Sequence, residues 1–332
     1  MKEDKIYMRR CLQLAACGMY GARPNPMVGA VIVAPGGRII GEGCHRHCGQ
    51  GHAEVNAFAS VAPADEALLT ESTMYVSLEP CAHYGKTPPC ADLIIRKGVR
   101  RVVVGCVDPF AKVHGLGIRN LRDAGIDVTV GVLERECIEL NRRFFTFQTL
   151  GRPYITLKWA QSADGFIDSG FRPTMISTPF TQMLAHKLRT ECQAIVVGRV
   201  TDERDHPQLN IRHWSGPAPR RMVLSHSHDI DAILAECRAD SLQSLLVEGG
   251  AATHRAFIER GLWDEIRVET APPALHRGTR AATLPDCLAV KSHTVCGNNA
   301  ITVYVREQRR PTGAADAGTA LAALANAWQS PE

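Results

Sequence analysis

The residues best suited to do chemistry in this chain are His52-Ala53-Glu54, Pro80-Cys81 and Cys90. One imidazole and two thiolates supply three tetrahedral positions of Zn²⁺ and leave the fourth open to water, as a catalytic site requires. Bound zinc lowers the pKa of that water from ~15.7 toward ~7, so a nucleophile is available at neutral pH. Glu54 follows His52 too closely to share the metal with it, but it can carry a proton from the water to a ring nitrogen and then to a departing amine. Taken singly, each residue reads more readily as a helix cap or a buried core thiol. The ordered set points to a hydrolytic zinc site. The neighbouring run Cys44-His45-Arg46-His47-Cys48 is a poorer candidate, because adjacent strand positions point to opposite faces. It is read as non-metal, with His45 alone facing the pocket.

The elements that must position these side chains follow from hydrophobic periodicity. Met8, Leu12, Ala15 and Met19 predict an amphipathic helix over 4–20. Ala30–Val33 and Arg38–Ile40 flank Pro35-Gly36-Gly37, a hairpin signal. A helix is predicted to start near His52, a strand over Thr73–Leu78, and a helix over Ala91–Lys97 ending at Gly98. The strand Val102–Val104 follows, then helices 116–124 and 134–142 around the strand Ile126–Val130. Thr149–Pro153 reads as a linker. Beyond it come the strand Tyr154–Lys158, helix 180–191, strands Ala194–Val197, Met222–Leu224 and Leu245–Val247, helix 252–260 and strand Glu265–Thr270. Alternating strands and helices predict α/β architecture in both halves, three-layered in the first. The boundaries drawn are 1–149, 152–307 and a loose tail, 308–332, in which one frayed helix is predicted over Ala320–Trp328.

Composition narrows the function. At 332 residues the chain suits two domains, since one core rarely grows past ~250–300 residues. Lys plus Arg number 38 against 34 Asp plus Glu, a net of +4. That is too mild to announce nucleic acid or a membrane surface, though it suits a small anionic molecule. No apolar run reaches the ~18 residues of a spanning helix, and Met1–Lys5 mixes charges without a signal-peptide core, so a cytoplasmic location is expected. In a reducing compartment the twelve cysteines are expected to be mostly small buried hydrophobes, such as Cys11, Cys17 and Cys192.

His-x-Glu followed by Pro-Cys and a second Cys is the order found in zinc deaminases, with the two thiols here nine residues apart instead of three. The surrounding motifs are more specific: Pro24-Asn25-Pro26-x-Val28-Gly29, Gly41-x-Gly43-x-His45, Gly49 and His52-Ala-Glu-Val-Asn56. Leu78-Glu-Pro-Cys-Ala-His-Tyr-Gly-Lys-Thr-Pro-Pro-Cys-Ala-Asp92 and Asp108-Pro109 complete the set. On these the chain resembles the bifunctional deaminase-reductase family of riboflavin biosynthesis, from about residue 5 to 305. The resemblance implies a cytidine-deaminase-like first domain that removes an amino group from a diaminopyrimidine ribosylamino phosphate. His52, Cys81 and Cys90 would hold zinc, Glu54 would shuttle protons, and Asn25 and His45 would line the pyrimidine pocket. Lys86 and Thr87 suit the substrate phosphate, a cation and a hydroxyl for a dianion. Phe110 departs from the family's usual Asn after Asp-Pro.

The second half resembles the family's dihydrofolate-reductase-like domain, which uses NADPH to reduce a ribosyl group to a ribityl chain. Leu157-Lys158-x3-Ser162-x-Asp164-Gly165, Leu188-Arg189, Gly198-x-x-Thr201-x3-Asp205-x-Pro207-x-Leu209-x-x-Arg212 and Glu248-Gly249-Gly250 carry this match. It implies substrate contacts at Arg189, Leu209, Arg212 and Glu248, and cofactor contacts at Ala160, Met175, Thr201, Asp205, Gly250, Ala251, Ala252 and Thr253. Paired glycines at a helix start let backbone N–H groups approach a phosphate. Several positions depart: Pro173 and Met175 where Ser and Trp are usual, His206 for Asp or Asn, Leu224-Ser225-His226, and a segment 225–244 that looks one element short. These departures define an alternative, a deaminase whose reductase half is impaired. Two other rivals are a nucleoside or tRNA deaminase, which would want a basic, aromatic-rich surface, and a non-catalytic zinc scaffold, which would not need Glu54. A homo-oligomer is expected, and His186 and His213 are read as surface residues.

Overall fold

The computed structural model describes residues 2–82, 88–110 and 114–307. The first half runs α1 (Lys2–Ala16), β1 (Gly29–Val33), β2 (Ile39–Cys44), α2 (Ala53–Ala59), β3 (Thr73–Leu78), α3 (Cys90–Lys97), β4 (Arg101–Cys106), α4 (Leu116–Asp123), β5 (Asp127–Val130), α5 (Glu134–Leu140) and α6 (Arg142–Leu150). Its sheet has the order β2-β1-β3-β4-β5; β1 pairs antiparallel with β2 and β3, and β3, β4 and β5 are parallel. Successive strand side chains go to opposite faces. Ile32, Met74, Val76, Val102 and Val104 pack beneath α2, α3 and α4, while Val31, Tyr75 and Val103 pack against Met8, Cys11, Cys137 and Phe144 on the other side. Three layers result, as the alternation predicts.

Some boundaries move. The first helix stops at Ala16, and residues 17–22 turn back, so Cys17 is exposed past the helix end where a buried thiol is expected. The predicted helix 134–142 breaks at Asn141. The buried side chain of Asn141 clasps the Met27 backbone instead, accepting from its N–H and donating to its carbonyl, both at 2.8 Å. The predicted linker is shorter, because α6 continues to Leu150 before left-handed Gly151 ends it.

The second half comprises β6 (Tyr154–Ser162), α7 (Pro179–Glu191), β7 (Ala194–Gly198), α8 (Arg199–Asp205), β8 (Arg220–Leu224), α9 (Ile230–Ala239), β9 (Ser244–Val247), α10 (Ala251–Glu259), β10 (Glu265–Ala271), β11 (Leu288–Cys296) and β12 (Asn299–Arg306). Its seven-stranded sheet has the order β11-β12-β10-β6-β9-β7-β8, parallel from β10 to β8 and closed at one edge by the antiparallel β10-β12-β11 ribbon. α9 and α10 cover one face through Ile233, Leu234, Cys237 and Phe257, and α7 covers the other through Leu188. The segment 225–244, expected to be one element short of the family's longer insert, holds a single helix between its two strands. Ten residues of helix span only about 15 Å, so the segment accommodates all of α9, capped by Asp229 accepting from the Ala232 N–H at 2.9 Å. α8 and the β11–β12 hairpin are further elements not read from the sequence. The tail 308–332 lies outside the described residues.

Candidate active site

The chain gathers the first-half motif at the carboxyl ends of β3 and β4, where open α/β sheets place ligands. His52 is the residue before α2, yet its side chain makes no cap hydrogen bond. Its Nδ1 lies 3.6 Å from Cys81 Sγ and 3.4 Å from Cys90 Sγ. Tetrahedral zinc with Zn–N of about 2.0 Å and Zn–S of about 2.3 Å separates such atoms by about 3.5 Å. The donor set therefore fits zinc in both chemistry and spacing. Among the described residues it is the one group of His, Cys and acidic side chains close enough to hold a metal, so the Cys44–Cys48 run forms none. Cys90 opens α3, and its N–H donates to Cys81 Sγ at 3.3 Å. The hydrogen bond from Cys90 and the neighbouring His52 draw the Cys81 thiol well below its ordinary range.

Glu54 lies in the first turn of α2 and is 3% exposed. Burial pushes its carboxyl up to about 7, with the Cys81 thiolate adding to the shift and His52 opposing it. This is the range in which a group exchanges protons efficiently near neutrality. Close packing brings α2 here: a Cβ on Gly43 of β2 would lie 2.3 Å from both the Ala53 oxygen and the Ala57 nitrogen. Asn25 Nδ2 donates to His45 Nε2 at 3.1 Å, and His45 Nδ1–H donates to the Gly51 carbonyl at 3.1 Å. Burial lowers the His45 pKa, consistent with a neutral ring in that tautomer. Asn25, His45, His52, Glu54 and Cys81 all line one cavity of about 360 Å³. Lys86 and Thr87 lie outside the described residues.

Sequence reasoning assigned no role to Glu79, next to the Pro80-Cys81 pair. Its buried carboxylate accepts from the N–H groups of Asp108, Gly115, Gly117 and Ile118, tying the ligand-bearing segment to the start of α4. An acidic residue directly after the apolar strand Thr73–Leu78 is the signal that could have revealed it. Phe144, Phe147 and Gln148 from α6 also line the cavity, and nothing in their local sequence marks them.

A second cavity, of about 410 Å³, opens in the second half. Of the residues assigned from the resemblance, Ala160, Met175, Arg189, Thr201, Asp205, Leu209, Arg212, Glu248 and Gly250 line it. Ala251, Ala252 and Thr253 do not; they form the first turn of α10, with Ala251 and Thr253 packed inward. No side chain caps that turn, so its first N–H groups are available to an anion. A Cβ on Gly249 would collide with Thr253 at 2.7 Å and one on Gly250 would meet Thr201 Oγ1 at 2.9 Å, so the glycines leave room only for a bare backbone. This cradle fits a nucleotide phosphate. Arg189 Nη2 pairs with Glu248 Oε2 at 2.6 Å with both side chains largely buried. Burial opposes it, but Lys158 and Arg189 hold the Glu248 carboxyl below its ordinary range. Met175 is 77% exposed on the cavity rim. His186, expected on the surface, is instead 3% exposed and lines the cavity; α7 turns its face toward the sheet there, and His213 packs edge-on against it from outside. Lys158 and Asp168 also line this cavity, though neither was assigned a role there.

Comparison with known proteins matches both halves. Residues 1–106 fit the family model of the cytidine and deoxycytidylate deaminase zinc-binding region, and residues 153–300 fit that of the RibD C-terminal domain. The riboflavin biosynthesis protein RibD of Aquifex aeolicus is 36% identical over 320 residues, covering 83% of this chain and 88% of that protein. The RibD of Bacillus amyloliquefaciens is 33% identical over 333 residues, covering 85% and 87%. A crystal structure of a deaminase/reductase from Thermotoga maritima, described as acting on diaminohydroxyphosphoribosylaminopyrimidine and 5-amino-6-(5-phosphoribosylamino)uracil, superposes with a TM-score of 0.84. That pair is 29% identical, over 92% of this chain and 99% of that one. RibD of Acinetobacter baumannii superposes with a TM-score of 0.81 at 28% identity, over the same shares. No helix among the described residues is long and apolar enough to cross a membrane. A zinc deaminase half and an NADPH-dependent reductase half thus occur in one chain, which belongs to the RibD family of bifunctional riboflavin-biosynthesis enzymes.

Proposed function

We propose that the first half hydrolyses the amino group of 2,5-diamino-6-ribosylamino-4(3H)-pyrimidinone 5′-phosphate and that the second half reduces the ribosyl group of the product to a ribityl chain. One observation carries the first step: His52 Nδ1 and the Cys81 and Cys90 sulfurs converge within 4.8 Å of one another, with buried Glu54 two residues from His52. Zinc, when bound, makes water acidic enough to attack at neutral pH. Glu54 takes a proton from the attacking water and returns it to the ring nitrogen beside the carbon under attack. It then takes the remaining proton from the oxygen newly bonded to that carbon and delivers it to the departing amine, which leaves as ammonia while the ring gains an oxo group. Asn25 and His45 orient the pyrimidine, and Lys86 and Thr87 are assigned to its phosphate by charge and motif position.

In the second half, NADPH supplies the two-electron reducing power. Arg189, Leu209, Arg212 and Glu248 are assigned to the substrate, and Ala160, Met175, Thr201, Asp205 and Gly250 through Thr253 to the cofactor. For Ala251, Ala252 and Thr253 the support is the backbone of the α10 start, since their side chains do not line the cavity. A homo-oligomer is supported by the edge strand β11, which leaves Val290 and Val295 62% and 70% exposed for a second copy to cover; light scattering tests it. A cytoplasmic location is supported by twelve free cysteines, which a reducing compartment preserves. The decisive experiment is a mass-spectrometric time course with the diaminopyrimidine substrate, zinc and NADPH. The deaminated and then the reduced product are expected. A course stopping at the deaminated product would implicate Pro173, Met175 and His206.

A further inference from the structure

The zinc cavity is not walled by the first half alone. Ser241 and Gln243, in the turn between α9 and β9, line it together with His52, Glu54 and Cys81. Gln243 is 4% exposed, and its Nε2 donates to the Pro24 carbonyl at 2.6 Å. Its backbone N–H donates to Gln193 Oε1 at 2.8 Å, and its carbonyl accepts from the Tyr154 N–H at 2.9 Å. The amide is thus anchored in the second half and grips the residue preceding Asn25, whose side chain in turn holds His45. Around this contact the halves are joined by Tyr20 and Thr190 hydroxyls at 3.0 Å and by Arg23 donating to the Glu191 carbonyl at 2.8 Å.

Ser241 sits at φ 55°, just past the end of α9. The Leu242 N–H reaches back to the Cys237 carbonyl at 2.8 Å, closing the helix in the manner that usually places glycine at this position. A side chain here is disfavoured relative to glycine. The serine nevertheless stands there, on the cavity wall, and among the described residues its hydroxyl has no hydrogen-bond partner.

We infer that Ser241 is a substrate-binding residue of the deaminase, its hydroxyl contacting the ribosyl phosphate arm, and that Gln243 is a positioning residue that sets Asn25 against the pyrimidine. The inference rests on assigning the zinc cavity to deamination. His45 and Glu54, each 3% exposed, mark its closed end, where the ring carbon under attack must lie. Ser241 is only half-buried, so a substrate reaching from that end toward it presents its hydroxyls and phosphate. The second half is therefore a structural part of the first half's site as well as an enzyme in its own right.

The test uses the full zinc-loaded chain. Ammonia release reports deamination, and reduction is assayed separately with already deaminated substrate and NADPH. In Ser241→Gly, which suits the left-handed backbone, KM for deamination is expected to rise about tenfold with kcat little changed, the loss of one hydrogen bond to a charged group. In Gln243→Met, kcat/KM for deamination falls while reduction is retained. An unchanged KM in Ser241→Gly overturns the substrate contact. Unchanged deamination in Gln243→Met, or parallel loss of both activities, overturns the positioning role. A wild-type chain that releases no ammonia would instead remove the deaminase assignment on which the inference stands.

Discussion

The two cavities of this chain solve opposite problems. The zinc site brings three ligand atoms within 4.8 Å of one another around a buried carboxylate, with two of its residues at helix starts and Glu79 bracing the segment between. The reductase cavity is wider and satisfies its charges internally: Arg189 pairs with Glu248 and Arg204 with Asp205. A metal centre must be preorganised, because a fraction of an ångström decides whether the ion is held. A site for a large nucleotide can be assembled from backbone, paired charges and exposed rim residues, because contact area does the work. The contrast explains why motif spacing carries the first site, while the second is spread over many residues and includes departures such as Met175 on its exposed rim.

That contrast can be broken or sharpened by experiment, beginning with the largest effect. Glu54→Gln is expected to lower kcat for deamination by about 10²–10⁴-fold, with zinc content by native mass spectrometry and reduction of deaminated substrate both unchanged. Substantial deamination by this variant would place the proton shuttle elsewhere. Arg189→Met strands the buried Glu248 carboxylate and should destabilise the second half by about 3–5 kcal/mol in denaturant unfolding, whereas Arg189→Met with Glu248→Leu should recover most of it. If the single variant is as stable as the wild type, the pair is not the internal satisfaction claimed for this cavity.

A pH experiment probes the same half. His254, buried against Trp159 with Nε2 donating to the Val247 carbonyl, has its pKa lowered by burial to about 4. Between that value and the ordinary 6.5 the unfolded chain holds the extra proton. The group's contribution is therefore complete above the unfolded pKa and declines as pH falls toward 4, by about 3 kcal/mol. Denaturant unfolding of wild type and His254→Phe should show a shallower pH dependence in the variant, and identical slopes would exclude His254 as the cause. The smallest effect concerns the rim: Met175→Trp places a flat ring where Met175 is 77% exposed, and NADPH should bind a few-fold tighter, about 1 kcal/mol. Unchanged affinity in a titration would mean that this rim position does not touch the cofactor.

Much of this molecule was legible beforehand because the information is local. The strand Thr73–Leu78 and the helix ended by left-handed Gly98 coincide with their predicted limits or fall within a residue of them, and the spacing of His52, Cys81 and Cys90 named the metal. Periodicity and turn chemistry are properties of neighbouring residues, and zinc chemistry depends on ligand type. What the tertiary structure alone decided is non-local. Asn141 breaks a helical pattern because Met27, 114 residues away, offers both a donor and an acceptor. Glu79 gains a role because Asp108, Gly115 and the first turn of α4 at Gly117 and Ile118 present four N–H groups to it. His186 is buried because of the cavity that α7 helps to wall, and Ser241 reaches the zinc cavity because Gln243 in the same turn holds the Pro24 carbonyl. Each depends on which distant backbone comes close, a matter of packing that no window of sequence contains.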